Sequence, residues 1–586
     1  MRLFAALALI AFAPAAPAAD APKVGDTVGK LKFTDIRSLP RTLDDFGKKR
    51  AVVLVFVNTT CPLAQKYLPT LAALEKEYRA KDVQFAAVNA AEDDTVLLMA
   101  TQSVKYEMEL PFVKDFGGVC AKALGVTRTP EAVVLDADRR IVYRGRIDDQ
   151  YRLGGSRKEP TARELKDALD ALLAGKKFAV AETEVDGCPI TFPKPREPKK
   201  VNFAEHVAPV LQKHCWDCHK PGGSSPFALT THKQAAVRAD ALAEVVKDQR
   251  MPPWFASHEF GPFTNRRALT DDERTILSDW AATGAAAGDL TKVPAPPPEV
   301  KEKWLIGKPD LVLDTIEFDL PAAGDIPYKY AVLPHGFTED TWLQDVQITS
   351  DNPRVLHHAN LAHGSLKGVS AENFITGYVP GGEPMNLPKG MGFLVPKGSV
   401  FGLQIHFVST GKPEKCKLSV GIRYPRDPVQ TRLRNYQLFD TRFAIPPGAP
   451  AHMVTASRVL DTDIIGVGMF AHMHLRGKDM TFAATVPGGK REELLVIANY
   501  NFEWQIPYRW EPGAKRFAKG TKLECVAHFD NSPFNPYNPN PKATVRNGPQ
   551  THNEMMYGFF FYTHADEKLN VRVDPKTGAE VKGDNR

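Results

Sequence analysis

Two proline-rich stretches divide this chain before any other feature is considered. They are Phe192-Pro193-Lys194-Pro195-Arg196-Glu197-Pro198-Lys199-Lys200 and Val293-Pro294-Ala295-Pro296-Pro297-Pro298-Glu299. Proline fixes φ and lacks an N–H, so neither stretch can continue a helix or sit in a central strand; both are extended, semi-rigid spacers. They cut the 586 residues into three blocks, at roughly 24–180, 200–290 and 301–586. A soft prior of one domain per ~150 residues gives about four domains. No internal repeat is visible. The expected architecture is therefore multidomain: an α/β block, an all-α block, then two all-β antiparallel sandwiches at 301–428 and 429–586.

In the first block, Ala51-Val52-Val53-Leu54-Val55-Phe56-Val57 is a continuous apolar run, as expected of a strand buried on both faces. A helix follows from Pro62 to about Arg79, then a strand from Val83, and a hairpin over Glu131–Val134 and Arg140–Arg144. Cys61-Pro62 falls where the strand gives way to the helix, and a helix N-terminus favours thiolate over thiol. Thr129-Pro130 precedes the hairpin. With these features the block resembles thioredoxin-like folds, near the redoxin and peroxiredoxin branch. The resemblance implies a cis-proline facing Cys61 and a thiol redox role for Cys61. A CxxC would place its second cysteine at 64, where Ala64 stands. Cys188 or Cys120 remains as a resolving partner.

The second block carries Cys215-Trp216-Asp217-Cys218-His219, a haem-attachment signature. Two thioether cysteines and an axial histidine on one turn is what covalent haem c needs, whereas zinc needs a fourth ligand. A helix from Phe203 to His214 leads into it. Thr270 and Glu273 form a capping box for a last helix bearing Ile276, Leu277 and Trp280. The block resembles class I cytochrome c. That resemblance implies a distal methionine before the last helix, where Met251-Pro252-Pro253-Trp254 stands; Met251 is the expected ligand, with His232 and His258 as rivals.

The third block holds most of the chain's 16 histidines. His472 and His474 are one residue apart, so on a strand both face one side. His406 lies in the strand-like Leu403-Gln404-Ile405-His406-Phe407. His357-His358 are adjacent and can share a metal only if the backbone bends there. Imidazole suits copper, zinc, iron or nickel, and a thioether favours Cu(I). On these residues the block resembles the copper type II, ascorbate-dependent monooxygenases, the group of peptidylglycine α-hydroxylating and dopamine β-monooxygenase. The resemblance implies two β-sandwiches facing across a solvent-filled gap. One copper would be held by His357, His358 and His406 and relay electrons; the other, held by His472, His474 and Met555, would activate O2 against a substrate C–H bond. The family carries a cysteine after that methionine, bonded to one on a nearby strand. Here Met556 replaces it while Cys525 stands at the partner's place, so Met556 is the fallback ligand. His528 or His552 could support the second site.

Residues 1–19 read as a secretory signal: Met1-Arg2, an apolar run from Leu3 to Ala13, then small residues up to Asp20. The run is too short for a stable membrane span, so the mature chain is expected to be periplasmic or secreted. A net charge of +6 without a Lys/Arg run gives no support for nucleic-acid binding. The combined expectation is an exported copper monooxygenase with two copper ions and haem c. Its partners would be O2, a small-molecule or peptide substrate, and an electron donor (ascorbate or a redox protein). The alternatives are a non-catalytic copper/haem electron-transfer protein and a thiol-peroxide redox protein.

Overall fold

The computed structural model describes residues 22–194, 196–223, 225–297, 303–380 and 382–581. The expected signal segment and the end of the second proline-rich stretch lie outside the described residues. The chain divides into two compact units. The first comprises the described residues up to Asp35 together with Pro40–Asp94 and Leu110–Pro193; the second comprises Ile36–Leu39, Thr95–Glu109 and everything from Lys194.

The first unit is built on a seven-stranded mixed sheet. Its strands are β1 (Lys32–Asp35), β2 (Pro40–Thr42), β3 (Ala51–Val57), β4 (Val83–Asn89), β5 (Phe112–Lys114), β7 (Glu131–Asp136) and β8 (Ile141–Gly145), in the order β2-β1-β5-β4-β3-β7-β8. Strand β6 (Arg128–Thr129) lies outside this sheet and pairs with β9 (Cys188–Pro189). β3 is parallel to β4 and antiparallel to β7. Its central position explains the unbroken apolar run, since Val53 to Val57 are all fully buried. Helix α1 (Pro62–Arg79) covers the sheet with Leu63, Tyr67, Leu68, Leu71 and Tyr78, one face at three- and four-residue spacing. Cys61 is its N-cap and Pro62 its first residue, the position where a missing N–H costs nothing. The Thr129–Pro130 bond is cis.

One helix departs from the simple block division. Helix α2 (Val96–Lys105) belongs to the second unit, where Leu97 and Ala100 join the core of the C-terminal sandwich, whereas α3 (Val119–Leu124) and α4 (Glu164–Leu173) belong to the first. Leu97 and Ala100 are apolar residues three apart, a stripe that the sequence pattern alone assigns to whichever core is nearest.

In the second unit, residues 203–282 carry short helices joined by turns and loops. A π turn (Phe203–Val207) runs into α5 (Ala208–His214), so the expected single helix starts with a wider turn. After α5 come α6 (His232–Ala236), α7 (Ala239–Lys247) and α8 (Asp271–Ala282), the last with the expected Thr270/Glu273 capping box. They close on Phe203, Leu211, Trp216, Leu277 and Trp280. The segment between α7 and α8 does not stay with this core. Trp254, Phe255 and Phe263 pack into the C-terminal sandwich, and Ser257 N–H donates to Val496 O at 2.7 Å.

Two antiparallel sandwiches follow. In the first, a sheet of Leu311–Asp314, Leu418–Arg423, Asp345–Ser350 and Met385–Asn386 packs on one of Lys329–Gly336, β11 (Val400–Phe407), β10 (Leu356–Ser365) and Gly368–Tyr378. In the second, Arg434–Phe439, β15 (Tyr557–His564), β12 (Ile464–His472) and Tyr508–Arg509 face a sheet of His452–Val459, β14 (Lys522–Phe529), β13 (Gly477–Thr485) and Arg491–Ile497. Alternating burial along β14 reflects its two faces, one in the core and one toward solvent. Among the described residues, no helix is long and apolar enough to cross a membrane.

Phe401 on β11 is fully buried in the first sandwich, whereas Ile316 is 75% exposed. Phe401→Ala is expected to cost about 3–5 kcal/mol and Ile316→Ala less than about 0.5 kcal/mol. Urea denaturation followed by near-UV circular dichroism checks this; equal midpoints for the two variants would contradict the packing described.

Candidate metal centre and thiol site

β10 and β11 run side by side, and their register shifts between Leu356 and His358. This bulge inserts one residue, His357, into the strand. An extra residue rotates the side chains around it, which lets neighbours that would face opposite ways turn to one side. His358 lies directly opposite His406. The result is a three-imidazole cluster: His357 Nδ1 is 2.9 Å from His358 Nδ1 and 3.2 Å from His406 Nδ1. Ligand atoms of all three fall within 4.8 Å of one another.

The outward nitrogens are occupied. His357 Nε2 lies 2.6 Å from a Glu503 carboxylate oxygen, and His358 Nε2 lies 3.2 Å from the Tyr328 hydroxyl. A carboxylate only accepts, so His357 carries its proton on Nε2 and presents an Nδ1 lone pair inward; the Tyr328 hydroxyl is able to accept from His358 Nε2 in the same way, the arrangement a metal requires. Burial, with the charges of neighbouring imidazoles, holds His358 well below the usual histidine range. Burial and His357 bring His406 down to about 4. Rings that stay neutral at neutral pH keep their lone pairs available. The donor set therefore fits a transition metal.

His472 ends β12 and His474 follows it. His472 Nδ1 lies 2.7 Å from Gln505 Oε1, and His474 Nδ1 lies 3.2 Å from the Asn553 carbonyl. A carbonyl only accepts, so His474 carries its proton on Nδ1 and offers Nε2. Burial, then the neighbouring His472, lowers His474 to about 3. Glu554 anchors the local backbone by accepting from His474 N–H at 2.9 Å and Arg476 N–H at 2.7 Å. Burial pushes this carboxyl up to about 8. Met555 and His472 line one cavity of about 440 Å³, together with Phe374, Phe470, Tyr557 and Phe559. Met556 is fully buried in the sandwich core, so of the two methionines Met555 is the one on the histidine side. Cys525 is likewise buried in that core, as a thiol. His528 Nδ1 lies 2.6 Å from Asp479, a pairing away from the cluster.

The two histidine groups adjoin one another. The His358 and His472 ring centroids are 6.5 Å apart, and Tyr328 stacks on His406 at 4.8 Å and on His474 at 6.4 Å. Phe502 touches the rings of His357, His358, His406 and His474. An open gap between two separate sites, as the family resemblance implies, is not the arrangement here. Tyr328, Phe502, Glu503 and Gln505 carried no sequence signal; Glu554 stood beside Met555 in the motif without a readable role.

On the helical segment, Cys215, Cys218 and His219 lie on the turn after α5, with His219 N–H donating to Cys215 O at 2.8 Å. His219 Nδ1 is 3.1 Å from Phe227 O and 2.8 Å from Ser225 Oγ, leaving Nε2 free. An axial haem ligand needs that orientation. Of the possible second ligands, His232 Nε2 bonds Ala285 O at 2.8 Å between Phe203 and Trp280, and the His258 ring bonds Arg266. Met251 lines a cavity of about 330 Å³ shared with Trp254, His474, Tyr500, Phe502 and Glu503.

In the first unit, Cys61 is buried at the start of α1. It accepts from Ala64 N–H at 3.5 Å, and its Sγ lies 3.4 Å from Thr129 O. Burial raises its pKa, but hydrogen bonds from Cys188 and the Ala64 N–H outweigh that and hold the thiol below its ordinary value.

The family model described as Redoxin matches residues 23–163. Curated proteins similar to this part include the thiol-disulfide oxidoreductase ResA of Bacillus thuringiensis subsp. konkukian, 28% identical over 120 residues, or 20% of this chain and 68% of the relative. ResA of Bacillus anthracis is 26% identical with the same coverage. Among solved structures, a hypothetical protein from Sinorhizobium meliloti 1021 is 25% identical, covering 30% of this chain and 98% of its own, with a TM-score of 0.28. A secreted disulfide oxidoreductase of Mycobacterium tuberculosis is 21% identical, covering 25% and 95%, with a TM-score of 0.19. Residues 23–163 match the Redoxin family model and carry a thioredoxin-like α/β fold; a segment of short helices and then large antiparallel β-sheets follow.

Proposed function

We propose that the histidine-rich part of this chain is a two-copper centre that uses O2 to oxygenate a C–H bond of a small, largely apolar substrate. A haem c held on the Cys215–His219 turn would supply electron-transfer chemistry, in an exported, periplasmic or secreted protein. One observation carries the reading: three Nδ1 atoms converge beside the His472 and His474 imidazoles, and His472 lines a substrate-sized cavity together with the Met555 thioether. With the metals bound, the centre would supply O2 activation and one-electron transfer, for which imidazole and thioether are suited donors.

The chain's own residues account for the rest. His357, His358 and His406 would hold one ion, their outer nitrogens fixed by Glu503 and Tyr328. His472, His474 and Met555 would hold the other, with Gln505 and the Asn553 carbonyl keeping the protons on Nδ1. Phe374, Phe470 and Phe559 give the cavity apolar walls, and Asn360 and Gln404 add polar groups for orientation. Its position on the Met555 side argues for turnover over plain copper storage or electron transfer. Cys215, Cys218, His219 and Met251 would hold the haem. The Met251 cavity shares Phe502 and Glu503 with the metal centre, which suits electron delivery without, or beside, ascorbate.

A second reading, thiol-disulfide or peroxide chemistry, is favoured by the redoxin match and the low-pKa Cys61. It describes the other compact unit and is compatible with the first reading.

His472→Ala is expected to lower bound copper from two ions to one per chain, abolish substrate-dependent O2 consumption, and leave the haem absorbance unchanged. Wild-type protein that takes up no copper, or a variant that keeps full activity, would contradict the proposal. Gln505→Leu is expected to weaken copper at one site by about 10–100-fold, while Met556→Leu leaves affinity unchanged. Competitive Cu(I) titration reads both, and equal affinities in the two variants would count against the assigned ligands.

A further inference from the structure

The redoxin unit lacks the second cysteine of a CxxC, because Ala64 occupies the place three residues after Cys61. A different cysteine stands beside it. β9 runs antiparallel to β6 with Cys188 opposite Thr129, the residue whose carbonyl contacts Cys61 Sγ. The strand is pinned on both sides, by Arg128 Nη1 donating to Gly187 O at 2.7 Å and by Ile190 N–H donating to Thr127 O at 2.8 Å. Gly187 makes the approach possible, since a Cβ there would fall 2.2 Å from Thr129 O and 2.8 Å from its carbonyl carbon. The two thiols act on one another electrostatically: Cys188 lowers the pKa of Cys61, and Cys61 raises that of Cys188. Cys120 is engaged elsewhere: its Sγ contacts Lys32 O at 3.1 Å, and burial with Asp115 pushes it up to about 12.

We propose that Cys61 and Cys188 form a redox-active dithiol/disulfide that accepts two electrons from the dithiol of a partner protein. The proposal rests on the thiol reading of the redoxin domain and goes further by naming the second sulfur. Cys61 is 1% exposed, whereas Cys188 is half-buried and open on one side. In the oxidised form a partner thiolate attacks Cys188 Sγ, the Cys61–Cys188 bond breaks, and Cys61 leaves as a thiolate held by the Ala64 N–H. A leaving thiol of lower pKa departs faster, and Cys61 is lowered while burial and Cys61 itself push Cys188 up to about 11. The partner's second thiolate then attacks its own sulfur in the mixed disulfide. The bond to Cys188 breaks and Cys188 takes up a proton. The partner has lost two electrons and two protons and holds the new S–S bond; the second proton goes to Cys61 or to solvent.

The test uses the full-length chain treated with oxidised glutathione, denatured, alkylated and mapped by mass spectrometry. A Cys61–Cys188 linked peptide is expected in wild type and in Cys120→Ala, and not in Cys188→Ala. Titration in glutathione buffers is expected to give one two-electron midpoint that Cys188→Ala abolishes. Gly187→Val, which displaces β9 without touching either sulfur, is expected to reduce linkage at least tenfold. Because Cys188 lowers the pKa of Cys61, the alkylation midpoint of Cys61 is expected to move to higher pH in Cys188→Ala. Cys61 found as a sulfenic acid or glutathione adduct, with Cys188 alkylated, would overturn the pairing while leaving a thiol role for Cys61. Both cysteines alkylated as though never oxidised would overturn the pairing and the thiol reading together.

Discussion

The geometry of the His357–His358–His406 cluster depends on a single extra residue in one β-strand. In a regular strand His357 and His358 would point to opposite faces, and no ion could touch both. The bulge between Leu356 and His358 removes that constraint while the flanking strand stays paired: Ala359 opposite Ile405, Leu361 opposite Leu403. The apolar residues of β10 and β11 therefore still fill the sandwich core, and the polar ones converge at its edge. Conformational freedom is lost in the backbone, where the ladder already enforces it, rather than at the moment a ligand binds.

Burial gives the same centre its chemistry. Desolvation disfavours the charged forms of His358, His406, His472 and His474. His358 and His474 are held low chiefly by burial and then by their neighbours. The outward hydrogen bonds differ between the two groups. Glu503 and Tyr328 take the Nε2 side of His357 and His358, while Gln505 and Asn553 take the Nδ1 side of His472 and His474. His357 thus carries its proton on Nε2 and His474 on Nδ1.

Local physics made much of this legible in the sequence. Ala51–Val57, Pro62–Arg79 and the Thr270/Glu273 cap follow from apolar runs, helix periodicity and capping chemistry, all within a few residues of chain. The need for a bend at His357-His358 was legible for the same reason, because the two-residue period of a strand admits no other solution. What was not legible depends on contacts between distant segments. α2 carries an ordinary apolar stripe, and nothing in Leu97 or Ala100 says which core it joins. Trp254 to Phe263 sit between two helices yet pack into a β-sandwich. Tyr328, Phe502 and Gln505 are residues of common type in turn-rich surroundings, and only the fold brings them to the histidines. The choice between Cys188 and Cys120 likewise waited on β9, a two-residue strand too short to leave a pattern.

Copper K-edge absorption of the full-length chain loaded with Cu(I) tests the central claim most directly. The account predicts nitrogen scattering from imidazole at both ions and one sulfur shell that disappears in Met555→Ala and persists in Met556→Ala. Absence of copper uptake, or a sulfur shell unaffected by Met555→Ala, would contradict it.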